Sequence, residues 1–163
     1  KLCQNNGMLR HLVISSVVAL SFSLVGCATL GNRNAVSVKD VDWPLAELRS
    51  VAATVLPTGT RAVSPNGREL LSRHFILEGR SGYKPAADAT ERYFAQILIL
   101  GDRRPYDIEI LVTLERRVLR GNQFTYTVEG YDYKLAKELE VKLRQELTKR
   151  REDLNIIDDF RVF

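Results

Sequence analysis

Hydrophobic and polar positions along the chain fall into four regimes. Leu12 to Val25 is a run of 14 residues without a charge. Ala28 to Lys39 shows no sustained period and contains Gly, Asn and Ser, as a tether would. From Asp42 the spacing becomes helical: Leu45, Leu48, Ala52 and Val55 with Leu56 share one face, Asp42 can cap, Pro44 sits in the first turn, and Pro57 with Gly59 stops the helix. From Thr60 the period changes to two. Thr60 to Ser64 and Glu69 to Glu78 flank Pro65-Asn66-Gly67, a turn sequence that tolerates positive φ, so they read as a hairpin with Leu71, Phe75 and Leu77 on one face. Residues 79 to 90 form a long polar connection.

Arg92 to Leu100 and Tyr106 to Val118 form a second hairpin across residues 101 to 105. Tyr106, Ile108, Ile110, Val112 and Leu114 alternate with Asp107, Glu109, Leu111, Thr113 and Glu115, the pattern of a strand with one face buried and one wet. After Arg120-Gly121-Asn122, the segment Gln123 to Gly130 alternates again. Asp132 can then cap a long helix running to about Asp153, with Leu135, Ala136, Leu139, Leu143, Leu147 and Leu154 as its apolar stripe. Residues 155 to 163 carry Ile157, Phe160, Val162 and Phe163 and could return as a strand. An antiparallel sheet with one apolar face and two amphipathic helices predicts an α+β, two-layer sandwich: five or six strands covered by a short N-terminal and a long C-terminal helix, in a single domain spanning 41–163. No internal repeat, low-complexity tract or second domain is evident.

The apolar run near the start is too short for the ~20 residues that span a bilayer core, and has the length of a signal-peptide core. The only Met is Met8, followed by Arg10 and His11, so translation is expected to start there, with residues 1–7 upstream. The run ends in Leu24-Val25-Gly26-Cys27, which resembles the lipobox of bacterial lipoproteins. That resemblance covers about the first fifth of the chain. It implies that residues 1–26 are a signal peptide, that cleavage falls between Gly26 and Cys27, and that the Cys27 thiol carries the lipid. Acyl chains on Cys27 would then hold the protein to the membrane, residues 27–40 would be the tether, and Ala28, in place of a retention Asp, favours the outer membrane facing the periplasm. The globular part resembles no specific family by motif.

This address changes the composition. The 163-residue chain carries a net charge of +4. Without residues 1–26 it loses Lys1 and Arg10, so its basic side chains fall from 24 to 22 against 20 acidic ones and the net charge becomes +2. A nearly neutral envelope domain is a poor nucleic-acid binder. With Cys27 lipidated no thiol is left for a disulfide, a Cys-ligated metal or a nucleophile.

Candidate chemistry is correspondingly thin. His74 is the one histidine after cleavage, which excludes histidine-rich metal sites, and no Gly-x-Ser-x-Gly elbow is present. On a strand it points away from Leu71 and Phe75, as a solvated residue would. Asp107 with Glu109 and Asp158 with Asp159 read as solubilising carboxylates. Neither a metal, a cofactor nor a catalytic residue is therefore expected. Arg80, Tyr83 and Lys84 on the 79–90 loop, and Arg103 with Arg104 on the second hairpin turn, are the candidate partner contacts. These observations favour a non-catalytic interaction or assembly module with an envelope protein partner. A carrier for a lipid or other apolar ligand, with a cavity lined by Phe75, Ile97, Ile110 and Phe124, is the alternative, and an envelope hydrolase using His74 or close carboxylates a weaker one.

Overall fold

The computed structural model describes residues 34–79 and 82–159, with side chains through residue 152. The chain runs β1 (Val36–Val41), α1 (Leu45–Val55), β2 (Thr60–Val63), β3 (Glu69–Ser72), β4 (Phe75–Glu78), β5 (Gly82–Pro85), β6 (Glu91–Leu100), β7 (Tyr106–Arg120), β8 (Gln123–Tyr131) and α2 (Tyr133–Asp159). All strand pairs are antiparallel and join one 8-stranded sheet. The α+β class and the two covering helices are as expected, and the strands outnumber the expected five or six.

The extra strands arise because three outer rows of the sheet are split. Long β6 and β7 pair over ten residues, from Glu91 opposite Arg116 to Leu100 opposite Asp107. The other flank of β7 takes β1 along Tyr106 to Ile110 and β8 along Thr113 to Arg120, end to end. The other flank of β6 takes β3 at Gln96 to Leu98 and β4 at Tyr93, with β2 and β5 outside them.

Alternation along β6 and β7 sets the layers. Ala95, Ile97 and Ile99 on β6, with Ile108, Ile110 and Val112 on β7, are buried against Leu48, Val51, Ala52 and Val55 of α1 and Leu135, Ala136, Leu139, Leu143 and Leu147 of α2. The predicted stripes of both helices face the core as far as Leu147, except that Leu45 is only partly buried and Val51, outside the predicted stripe, is buried. Asp132 caps α2 as its sequence position suggests, its Oδ1 accepting from Leu135 N–H at 2.9 Å. This removes one of the unpaired donors at a helix start.

Several expectations are corrected. Residues 36–40 are not tether: Val36 and Val38 fill core positions opposite Ile110 and Ile108. Their short alternation, interrupted at Asp40, where φ is +56°, is too brief to register as a strand pattern. Asp42 makes no cap; α1 starts at Pro44 without a side-chain hydrogen bond. The expected strand Glu69 to Glu78 is two strands, because Arg73 and His74 interrupt the ladder. Ser72 Oγ fills the gap by accepting Ala95 N–H at 2.8 Å and donating to Arg73 O at 2.8 Å. The interruption reverses the parity: Leu70 and Phe75 are buried, Leu71 lies on the opposite face, and Leu77 is exposed. The polar connection contains β5, which pairs with β4. Finally, the backbone of residues 155–159 continues α2 instead of forming a strand, while 160–163 lie outside the described residues.

Candidate interaction site on the open sheet face

The sheet face away from the helices divides into a polar and aromatic cluster and an apolar stripe. The cluster forms where the β3–β4 break turns His74 over β6 and β7. Glu115 Oε2 accepts from Arg92 Nε at 2.8 Å and lies 3.4 Å from His74 Nε2. Arg61 from β2 reaches the other side of the imidazole, with a guanidinium nitrogen 3.0 Å from Nε2. The His74 ring also meets Phe94 edge-on at 5.9 Å between centroids. The side chains of His74, Arg92 and Glu115 are only 14, 13 and 17% exposed, so the solvated histidine expected from sequence is a packed one. Burial, then the neighbouring Arg92 and Arg61 cations, push the His74 pKa below its ordinary 6.5, and Glu115 opposes them. The cluster clamps β2, the β3–β4 break, β6 and β7 to one another.

It also clamps the 86–90 loop. The Arg92 guanidinium lies 3.3 Å from the Tyr126 ring centroid and donates to Ala87 O. The Tyr126 hydroxyl lies 3.0 Å from both Ala87 O and Ala89 O, and Arg117 N–H donates to Thr90 O at 2.7 Å. The connection from β5 to β6 is thereby folded onto the open face.

Beyond the clamp the β7–β8 hairpin projects an apolar stripe. Leu119 and Phe124 are directly opposed and 62 and 61% exposed; Val128, opposite Glu115, is 57% exposed, and Tyr131 is 45% exposed. Arg117 sits over the Phe124 ring at 4.0 Å. A run of large apolar side chains facing water, edged by cations, is the composition of a protein-binding surface.

The residues chosen from sequence do not converge. Tyr83 packs edge-on against Phe75 at 5.2 Å, under the Lys142 ammonium, on the helix side of the sheet. There it edges a groove of about 570 Å³ with Leu56, Pro57 and Pro85. Lys84 is the exposed neighbour, Arg80 lies outside the described residues, and so do Gly26 and Cys27. Arg103 and Arg104 are exposed on the turn at the far end of β6, where Arg104 faces Asp42 at 3.9 Å. Elsewhere, Arg116 is held by Glu91 at 2.7 Å and Glu129 at 2.8 Å, and Arg150 ties α2 to Glu47 of α1 at 2.6 Å. The supposed cavity residues are likewise separated: Phe75, Ile97 and Ile110 are fully buried in the closed helix–sheet layer, whereas Phe124 projects from the opposite face. Among the described residues no three His, Cys, Asp or Glu side chains are placed to hold a metal, and no helix is long and apolar enough to cross a membrane.

Sequence reasoning missed Arg61, Arg92, Glu115 and Tyr126 because they come from four strands. The one local signal was Phe124, Tyr126 and Val128 alternating on a segment that neither helix covers.

The class these features define is an antiparallel α+β sandwich with an uncovered, partly apolar sheet face. Comparison with protein-family models, curated proteins and solved structures returns no match.

Proposed function

We propose that this protein is a lipid-anchored lipoprotein of the cell envelope that acts as a non-catalytic interaction or assembly module. Acyl chains on Cys27 hold it to the outer membrane, facing the periplasm, and an envelope protein partner docks on the open sheet face. The observation that carries the docking role is the exposed stripe of Leu119, Phe124, Val128 and Tyr131. Burying such side chains contributes roughly 25 cal/mol for each Å² of apolar surface removed from water, so a partner that covers the stripe gains adhesion from it. The lipobox resemblance at Leu24 to Cys27 supports the anchor.

Photo-crosslinking in intact cells tests the reading. A photoreactive residue in place of Phe124 is expected to trap a discrete envelope protein, while the same residue at Val141, exposed on α2, does not. The adduct should weaken when Cys27→Ser removes the acyl chain, followed by labelled fatty-acid incorporation. Equal trapping at both positions, or fatty-acid labelling that survives Cys27→Ser, would refute the proposal.

A further inference from the structure

The backbone edge of β8 carries information independent of the envelope reading. Among the described residues β8, Gln123–Tyr131, has one partner, β7. The chain's other edge strands are blunted in the usual ways. Strands β2 and β5 have only four residues each, with Arg61 on one and Lys84 and Pro85 on the other, and β1 carries Lys39 and Asp40. By contrast, β8 has no proline and no cation. Its one charge, Glu129, sits at the irregularity near the end of the ladder and is neutralised by Arg116 at 2.8 Å.

The direction in which the free backbone groups point follows from the turn. Arg120 and Gln123 flank a two-residue turn, Gly121-Asn122, with Gly121 at φ +60° as such a turn requires. The flanking residues of a two-residue hairpin exchange hydrogen bonds, and the ladder is regular from there to Val128. Alternation therefore turns the N–H and C=O groups of Gln123, Thr125 and Thr127 toward β7, and those of Phe124, Tyr126 and Val128 outward.

This outward set is close to a palindrome. We propose that β8 pairs antiparallel with β8 of a second copy of this chain, on a two-fold axis at Tyr126. Phe124 then opposes Val128 of the second copy, Tyr126 opposes its counterpart, and about six backbone hydrogen bonds form along the seam. On the other face Thr125 opposes Thr127, a favourable cross-strand pair. Glu129 opposes Gln123, so no like charges meet. The self-complementarity argues for a second copy over an unlike strand: the register that satisfies the backbone also matches apolar side chains with apolar ones and neutral with neutral. An isologous contact of this kind closes at two chains. It also places the two apolar stripes side by side on one continuous sheet face.

Disulfide trapping reads the register directly. Directly opposed residues in an antiparallel pair have Cα atoms about 4.5 to 5.5 Å apart, within disulfide range. Position 124 and its own counterpart would be about 13 Å apart. Full-length chains carrying Phe124→Cys and Val128→Cys, separately tagged and co-expressed, are oxidised in membranes. The mixed disulfide should exceed that of either variant alone by at least about five-fold. The unsubstituted chain reports the background. In parallel, light scattering of the full chain in detergent should give the mass of two chains. A Phe124→Lys, Val128→Lys variant, which sets cations opposite each other, should dissociate at least tenfold more readily while keeping the unfolding midpoint of its monomer. Single variants that crosslink as well as the mixture, a one-chain mass for the unsubstituted protein, crosslinks only to an unlike protein, or a lysine variant that stays paired would each overturn the proposal.

Discussion

Replacing Glu115 by Gln removes the one carboxylate that, among the described residues, faces Arg92 and His74, while keeping its size and an acceptor oxygen. Glu115 Oε2 is 2.8 Å from Arg92 Nε, and both side chains are less than one-fifth exposed. Unit charges about 4 Å apart at an effective dielectric near 20 attract by about 4 kcal/mol before desolvation is counted. Breaking a fully buried pair typically costs 3 to 5 kcal/mol. Here Arg92 keeps its bond to Ala87 O and its position over Tyr126, so a loss of about 2 kcal/mol is expected. The assay is urea unfolding of the full chain in mild detergent, followed by fluorescence of Trp43, the only tryptophan, which is 6% exposed. The pH dependence gives a second, signed readout. Because folding depresses the His74 pKa, its neutral form is the folded one; the associated stability is full above 6.5 and is lost as pH falls from there through the lower folded value. Glu115 is the neighbour that holds this pKa up, so its neutralisation depresses the value further, and the gap between variant and parent should widen below pH 6.5. A loss under about 0.5 kcal/mol at neutral pH, or a gap that narrows on acidification, would refute the account of the cluster.

Three more outcomes follow from single contacts. Ser72→Ala strands the buried Ala95 N–H that Ser72 Oγ now accepts, so urea unfolding should show a loss of about 1 to 3 kcal/mol, more than a neutral surface Ser→Ala change would give. Asp132→Ala removes the α2 cap and should cost about 1 kcal/mol, with hydrogen exchange accelerated at Leu135. Tyr126→Phe deletes the hydroxyl shared by Ala87 O and Ala89 O, so limited proteolysis within residues 86–90 should speed up while global stability changes by less than about 1 kcal/mol.

The layers were legible because each long element carries its own periodicity. Tyr106, Ile108, Ile110 and Val112 are four consecutive even positions of β7, and all four are buried; the α2 stripe is as regular. Legibility failed where an element is shorter than the pattern needed to recognise it. Three core positions in β1, their alternation broken before Val41, and four-residue strands on either side of the Arg73–His74 break give alternation no length to establish phase. The parity slip there misassigned Leu71. Glu140 shows the converse failure: an acidic residue in the helical pattern reads as solvent-facing, yet it is 4% exposed. Burial would raise its pKa, but Lys137 and Arg144 bonded to its carboxylate override that and leave it lowered. The open-face cluster was the least legible feature. Arg61, His74, Arg92, Glu115 and Tyr126 are scattered over more than sixty residues of sequence, and only the pairing of β2 with β3, of β3 and β4 with β6, and of β6 and β8 with β7 makes them neighbours.

The same register explains why the molecule has a sticky end at all. The helices cover the long strands and β1: α2 packs against β7 and β1, and α1 packs against α2 and β3. The part of β7 beyond Leu114 runs past that cover and carries β8 with it. A hairpin extending beyond its helices has no internal layer to bury its apolar positions, and polar residues there would suffice for solubility. Leu119 stands there instead on β7, and Phe124 and Val128 on β8, which has neither the cations nor the proline that quiet β2 and β5. Local β-propensity alone would be satisfied by threonine at each of these positions, as it is at Thr125 and Thr127. The apolar choice on one face, combined with an unblunted edge, is what a strand needs if its second neighbour comes from another chain.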